Sequence, residues 1–351
     1  MSRSAQKNRK ETEHLASAEQ STDSPAINSE KPIPLWRMRV HACSILFTVF
    51  FLSLLILRLA FRDRWLGTEV LFWLPFWVFA LPAALAILGL LGRRLKLTLI
   101  FATLLLSAVI FNQEQPLFFT PSSLVNTAKP ANATTLLSWN VMMYNQGKRG
   151  VIEGYQEPDA DINTLVEGTY QGDVPHFLKA ELSADYRWVA TRQMAVGSKY
   201  PVLDFQELTT RTPLRVFQST LKTNQDEEFL LLLVDLPSPP RRTTAQCFLE
   251  LEEVLLELQG KPTLVVGDFN TPRGSYWLNR VFRDYQDAYL HAEQRPSGWL
   301  ASFPNYFPLV QIDHAFASPE ITVHRAELLA GEASDHYRQY IVFSLSARSP
   351  E

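Results

Sequence analysis

The stretch from Phe229 to Asn270 constrains the fold of this chain more tightly than any other. Phe229–Val234 is an unbroken apolar run, the pattern of a strand buried on both faces. Thr244–Gln259 then sets Phe248, Leu251, Leu255 and Leu258 at helical spacing, with Gly260 as its C-terminal stop. Thr263–Val266 returns to a short apolar run. Strand, helix, strand in this order is a crossover unit, which joins parallel neighbours and favours an α/β sheet. Gly267, Asp268, Phe269 and Asn270 follow directly. Asp268 and Asn270 are two positions apart, so they point the same way beyond the strand end, where open α/β folds place their chemistry. Asp and Asn are also common turn residues after a strand, so this pair alone is compatible with a plain turn.

Composition divides the chain of 351 residues unevenly. Residues 1–36 are polar, of mixed charge and nearly free of aromatics, the profile of a disordered tail. Residues 37–111 hold three apolar blocks, Val40–Leu57, Val70–Leu91 and Leu97–Phe111. The first two match bilayer spans of roughly 20 residues; the shorter third fits either a span or a buried core helix. The reading adopted is three transmembrane helices, with 112–132 as a linker and 133–351 as one large folded domain. Arg37 and Arg39 precede the first block, and Arg93, Arg94 and Lys96 separate the second from the third. The positive-inside rule then expects an integral inner-membrane protein with a cytoplasmic N-terminus, a periplasmic catalytic domain and the lipid bilayer as a partner. Arg58, Arg62 and Arg64 in the first loop run against that orientation. Cys247 is the only thiol after Phe111, so no disulfide forms within the large domain.

In the large domain, polar residues recur at or close to the ends of strand-like apolar runs. Asn140 follows Leu136–Trp139, and Glu167 ends Ile162–Val166. Asp313 follows Val310–Ile312, and the pair Asp335, His336 precedes Tyr340–Leu345. Each has a bland explanation singly, as an exposed strand end, a turn residue or a surface histidine. Their joint order is harder to dismiss.

Ser138-Trp139-Asn140, ADINTLVE at Ala160–Glu167, GSKYPV at Gly197–Val202, VVGDFN at Val265–Asn270, QIDHAF at Gln311–Phe316 and SDH at Ser334–His336 resemble, in order, the signature blocks of the endonuclease/exonuclease/phosphatase superfamily. This is the deoxyribonuclease I-like group. The resemblance spans roughly 134–347 and implies a two-sheet α/β sandwich with outer helices and a site at one edge. It also implies roles. Glu167 would be the main ligand of Mg²⁺ (or Mn²⁺), with Asn140 beside it and Asp335 completing the metal site. Asp268 would orient or deprotonate the attacking water, and Asn270 would donate to a phosphoryl oxygen. Asp313 would hold the imidazole of His336, which contacts the phosphate. The implied reaction is metal-assisted hydrolysis of a phosphodiester or phosphomonoester by in-line water attack.

One position departs from the family pattern. Asp235 stands after the long apolar strand, where the family usually places a phosphate-binding histidine. A carboxylate there would repel a phosphate unless protonated or metal-bound. Asp235 holding a second metal, a differently bound substrate, and weakened or lost activity are the three explanations. The last corresponds to a membrane protein of the same fold that binds a phosphorylated ligand without turnover.

Substrate class is open at this stage: nucleic acid, a phospholipid head group or a small phosphoester. From residue 112 onward 20 Lys and Arg stand against 29 Asp and Glu, a formal charge of −9, which suits non-specific nucleic-acid binding poorly. Arg241 and Arg242, after the Pro-rich turn, could form a local basic patch, but a solvated N-terminal helix flank is the favoured reading.

Overall fold

The computed structural model of the chain describes residues 35–74, 129–169, 172–182, 184–238, 244–294 and 300–346, apart from several side chains between Trp36 and Leu52. The chain divides into two compact units, 1–43 and 44–351. Of the first, only the opening turns of helix α1 (Leu35–Phe61) are described.

The described residues of the second unit build two six-stranded sheets. The first has the order β11 (Ile321–Leu329), β12 (Arg338–Leu345), β1 (Thr134–Asn140), β2 (Ile162–Val166), β4 (Ala195–Ser198), β3 (Arg187–Ala190). The second runs β5 (Val202–Glu207), β6 (Arg215–Lys222), β7 (Glu228–Asp235), β8 (Thr263–Asp268), β10 (Asp313–Ala317), β9 (Gln286–Asp287). Among the described strand pairs, β1–β2 and β7–β8 run parallel and the others antiparallel. Helix α5 (Thr244–Leu256) makes the crossover from β7 to β8 that the apolar pattern predicts. It ends before Gly260, whose φ of +76° falls in the turn beyond.

The period-two geometry of strands sorts each one into two faces. In β7, Phe229, Leu231 and Leu233 enter the core between the sheets, while Leu232 and Val234 pack outward with Cys247, Phe248 and Leu251 of α5. In β8, Leu264 and Val266 point inward and Val265 outward. In β1, Leu136 faces the core, whereas Leu137 and Trp139 join Val151 and Tyr155 of α3 (Lys148–Gln156) on the outer face. Each fully buried leucine or phenylalanine contributes about 1.5–3 kcal/mol relative to exposure, so a one-residue slip in any of these strands is strongly disfavoured. The two-sheet α/β sandwich with outer helices is therefore present as expected.

The membrane-spanning part of the expectation is not. Among the described residues no helix is long and apolar enough to cross a membrane. That finding overturns the three transmembrane helices and the integral inner-membrane location with its periplasmic domain, and the expected bilayer partner loses its support. The described part of the second apolar block belongs to α2 (Leu66–Trp73), an eight-residue helix, about 12 Å long against a hydrocarbon core of about 30 Å. The polar segment after α1 is fastened to protein. Asp63 accepts hydrogen bonds from Ser275 Oγ and from the Tyr276 amide at 2.6 Å, and Trp277 Nε1 donates to its carbonyl at 3.2 Å. Arg58 is buried, with Nε donating to the Leu74 carbonyl at 3.2 Å. The tail 1–34, the rest of the second block, all of Leu97–Phe111, most of the 112–132 linker and the Arg241–Arg242 pair lie outside the described residues.

Candidate active site

The inward-facing rows of several strands change from apolar to polar at one edge of the sandwich. Asn140 continues the inward row of Leu136, Asp235 that of Leu231 and Leu233, and Asp268 that of Leu264 and Val266. Asp313 begins the row continued by Ala315 and Ala317. It opens β10 instead of following a strand, because Val310 makes only an isolated bridge to Phe303.

Register places three of these carboxylates side by side. Asp235 pairs with Asp268 across β7 and β8, and Asp268 pairs with Asp313 across β8 and β10. Like charges directly opposite are unfavourable, and here all three groups are buried. Each is answered by a different partner. Arg215, opposite Asp235 on β6, places Nη1 2.7 Å from Asp235 Oδ2. Asn140 Nδ2 donates to Asp268 Oδ2 at 3.0 Å; Asn270 donates to the same carboxylate from its backbone at 2.8 Å and from Nδ2 at 3.1 Å. Asp313 receives His336, whose Nδ1 lies 3.1 and 2.9 Å from the two carboxylate oxygens.

His336 links the row together. Its Nε2 is 3.8 Å from Asp268 Oδ2 and 3.8 Å from Asp335 Oδ1. Burial alone lowers a histidine pKa, but the charges of Asp313 and Asp268 outweigh it here and raise His336 to about 10. The ring therefore carries a proton at neutral pH. Burial raises the Asp268 carboxyl well above its ordinary value, although the His336 charge pulls it back. Asp235 is raised to about 6, again mainly by burial and in spite of Arg215.

Local structure explains how these side chains are held. Gly267 has φ +142°, and a Cβ there would lie 2.0 Å from the Val234 carbonyl oxygen, so only glycine lets β8 run this close to β7 beside the row. Asn270 sits at φ +45° and its Nδ2 also donates to the Leu236 carbonyl at 2.8 Å. Ser334 Oγ donates to the Asn140 carbonyl at 2.6 Å and accepts the His336 amide at 3.1 Å, tying the end of β1 to the segment that leads into β12 within the first sheet. Ser302 Oγ accepts the Asp313 amide at 3.1 Å.

The expected residues are not all brought together in the same way. Asn140, Asp268, Asn270, Asp313 and His336 form one bonded cluster. Glu167 and Asp335 line the same cavity of about 530 Å³, and Glu167 sits at φ +50° just past β2. Asp268, Asp313 and His336 each offer a ligand atom within 4.8 Å of the others, a trio distinct from the Asn140, Glu167 and Asp335 expected at the metal. The positive charge of His336 between the two carboxylates accounts for that trio. Asp335 Oδ1, by contrast, is buried without a hydrogen-bond partner in the described structure, and with Glu167 it supplies the hard oxygen donors that Mg²⁺ or Mn²⁺ takes. Arg215, Ser302 and Ser334 were not anticipated from sequence. Arg215 could have been found had β6 been aligned antiparallel to the apolar run of β7.

A sequence profile of the Endonuclease/Exonuclease/phosphatase family matches residues 137–336, more than half of the chain. No curated protein matches. An endonuclease/exonuclease/phosphatase family protein from Bacteroides thetaiotaomicron shares 16% identity over 62% of this chain and 99% of its own, with a TM-score of 0.50. A mannosyl-6-phosphatase from the same organism (18% identity, 60% and 100% covered, TM-score 0.49) and a 3'-5' exonuclease from Neisseria meningitidis (17%, 60% and 99%, 0.48) are also similar. At these identities the likeness is one of fold.

Proposed function

The chain belongs to the endonuclease/exonuclease/phosphatase family, and on that premise we propose that it is a divalent-metal-dependent phosphoesterase acting by in-line water attack. The observation that carries this reading is the bonded cluster of Asp268, His336 and Asp313 at the sandwich edge.

Asp268 is the group proposed to orient the water and take its proton. Asn140 and Asn270 aim its carboxylate, since three N–H groups converge on it. Protonated His336 presents positive charge to a phosphoryl oxygen, with Asp313 holding the ring and keeping it charged. Both Nδ2 hydrogens of Asn270 are engaged, by Asp268 and the Leu236 carbonyl, so in this arrangement it positions Asp268, and it would have to leave one of them to donate to a phosphoryl oxygen. Glu167 and Asp335, which line the cavity together with Asn140, would hold Mg²⁺ or Mn²⁺. When bound, such an ion neutralises charge on the phosphoryl oxygens and favours ionisation of water.

Asp235 fits this reading without a metal of its own. Its pairing with Arg215 supplies the neutralisation that a lone carboxylate beside a phosphate would lack. This pairing supports the catalytic reading over the non-catalytic alternative. The test is hydrolysis of a panel of DNA, sphingomyelin, inositol phosphates and bis-p-nitrophenyl phosphate by the full chain before and after chelation. Turnover lost on chelation and restored by Mg²⁺ or Mn²⁺ supports the proposal; turnover indifferent to chelation refutes its metal dependence.

A further inference from the structure

The cavity that holds the catalytic cluster has a wall from outside the family region. Val70, Trp73 and Leu74, in and just after α2, line it together with Asp268 and His336. The family match begins only at residue 137. This wall is anchored. Glu69 Oε1 accepts a hydrogen bond from Thr244 Oγ1, at the first residue of α5, at 2.9 Å. Phe72 is buried beneath the helix, with the Arg58 guanidinium 5.1 Å from its ring centroid. Asp63 fixes the entry to α2 by accepting from Ser275 and Tyr276, as described above. The apolar groups it leaves facing outward are not incidental: Val70 is 47% exposed and Leu74 39% exposed, yet both border the site.

The charge of the lining is equally informative. Among the described residues that line the cavity there is no Lys or Arg, while Glu69, Glu167, Asp268 and Asp335 all contribute carboxyl groups. A polynucleotide needs cations along its phosphate backbone, and each phosphate left unneutralised weakens binding. A single phosphoester needs only the metal and His336. What the wall adds is apolar surface for the group esterified to that phosphate.

Resting on the phosphoesterase reading, we infer that α2 forms a specificity wall, and that the substrate is a small phosphoester bearing an apolar group of aryl or short-alkyl size. The described lining offers a nucleic-acid strand no cation for its phosphates. Binding measurements separate this inference from the catalytic one. Titration calorimetry of the full chain with saturating Mg²⁺ compares phenylphosphonate with methylphosphonate, which share a phosphonate head and differ in apolar area. The wild type is expected to bind the phenyl compound at least about 10-fold more tightly. Val70→Ser and Leu74→Ser, at part-exposed positions that do not threaten folding, are each expected to cut that preference several-fold. Affinity for methylphosphonate should stay within about twofold. Equal affinities in the wild type, no binding of either compound, or an undiminished preference in both variants would overturn the specificity wall. A preserved phenyl preference in a protein that hydrolyses no ester would instead sink the catalytic reading and leave the wall standing.

Discussion

Asp235 and Asp268 stand in register on neighbouring parallel strands, two buried carboxylates at one sheet edge, with Asp313 next in the row on the far side of Asp268. Three like charges so placed hold together only because Arg215, two asparagines and a protonated His336 each take one of them. The site's chemistry follows from this arrangement, and so do its sensitivities.

Asp235 carries a charge that burial disfavours. Its pKa rises from 3.8 to about 6 on folding, so the folded state favours the protonated form. The sign follows: stability falls as pH rises from about 4 to about 6, where the unfolded chain has released this proton and the folded chain has not. Asp235→Asn should therefore raise stability at pH 8 by about 1–3 kcal/mol and leave it nearly unchanged at pH 4. Urea unfolding at the two pH values checks this.

Arg215→Ala should do the opposite. With its partner gone, Asp235 is a buried charge without compensation, and its folded pKa climbs further. A loss of about 1–3 kcal/mol at pH 8, shrinking toward pH 4, is the expected result. The double variant with Asp235→Asn should recover most of the loss, and a thermodynamic cycle on the four proteins measures the coupling.

His336 predicts the alkaline limb of activity. Its folded pKa of about 10 lies above the ordinary 6.5, so the stability it contributes is complete below about pH 6.5 and is lost as pH rises through about 10. The cation needed for phosphate contact disappears over the same upper range. The pH profile of kcat/KM should fall near pH 10, and Asp313→Asn should move that fall toward neutrality while lowering the plateau by about 10²-fold or more.

Gly267 tests whether the row depends on close strand approach. A methyl group there meets the Val234 carbonyl at 2.0 Å on a backbone with φ +142°. Gly267→Ala should cost roughly 3–5 kcal/mol, read as a lowered melting temperature. A melting temperature unchanged by the substitution would mean that β8 can withdraw from β7 without loss.

Much of this was legible in the sequence because burial leaves periodic marks. The apolar runs of β1, β2, β7 and β8 and the spacing of Phe248, Leu251 and Leu255 identify elements that pack on both faces, and the polar residues at their ends identify the site. What stayed hidden depends on register between strands distant in sequence. Arg215 is 20 residues from Asp235 and opens a strand with alternating burial, so nothing local joins them. Ser334 reaches Asn140 across 194 residues. The apolar block beginning at Val70 misled for a physical reason: hydropathy records aversion to water without recording what replaces it. In the described part of that block Phe72 is buried in protein and Trp73 borders the catalytic cavity, while Val70 and Leu74 stay part-exposed beside it.

The central claim is that Asp268 and His336 together carry out metal-dependent phosphoester hydrolysis. It is tested most directly by kcat/KM for bis-p-nitrophenyl phosphate, with Mg²⁺ or Mn²⁺, in the full chain and in Asp268→Ala and His336→Ala. The account predicts turnover in the wild type and a fall of about 10²–10⁴-fold in each variant, with the fold retained by circular dichroism. Folded variants that hydrolyse the ester as fast as the wild type would contradict it.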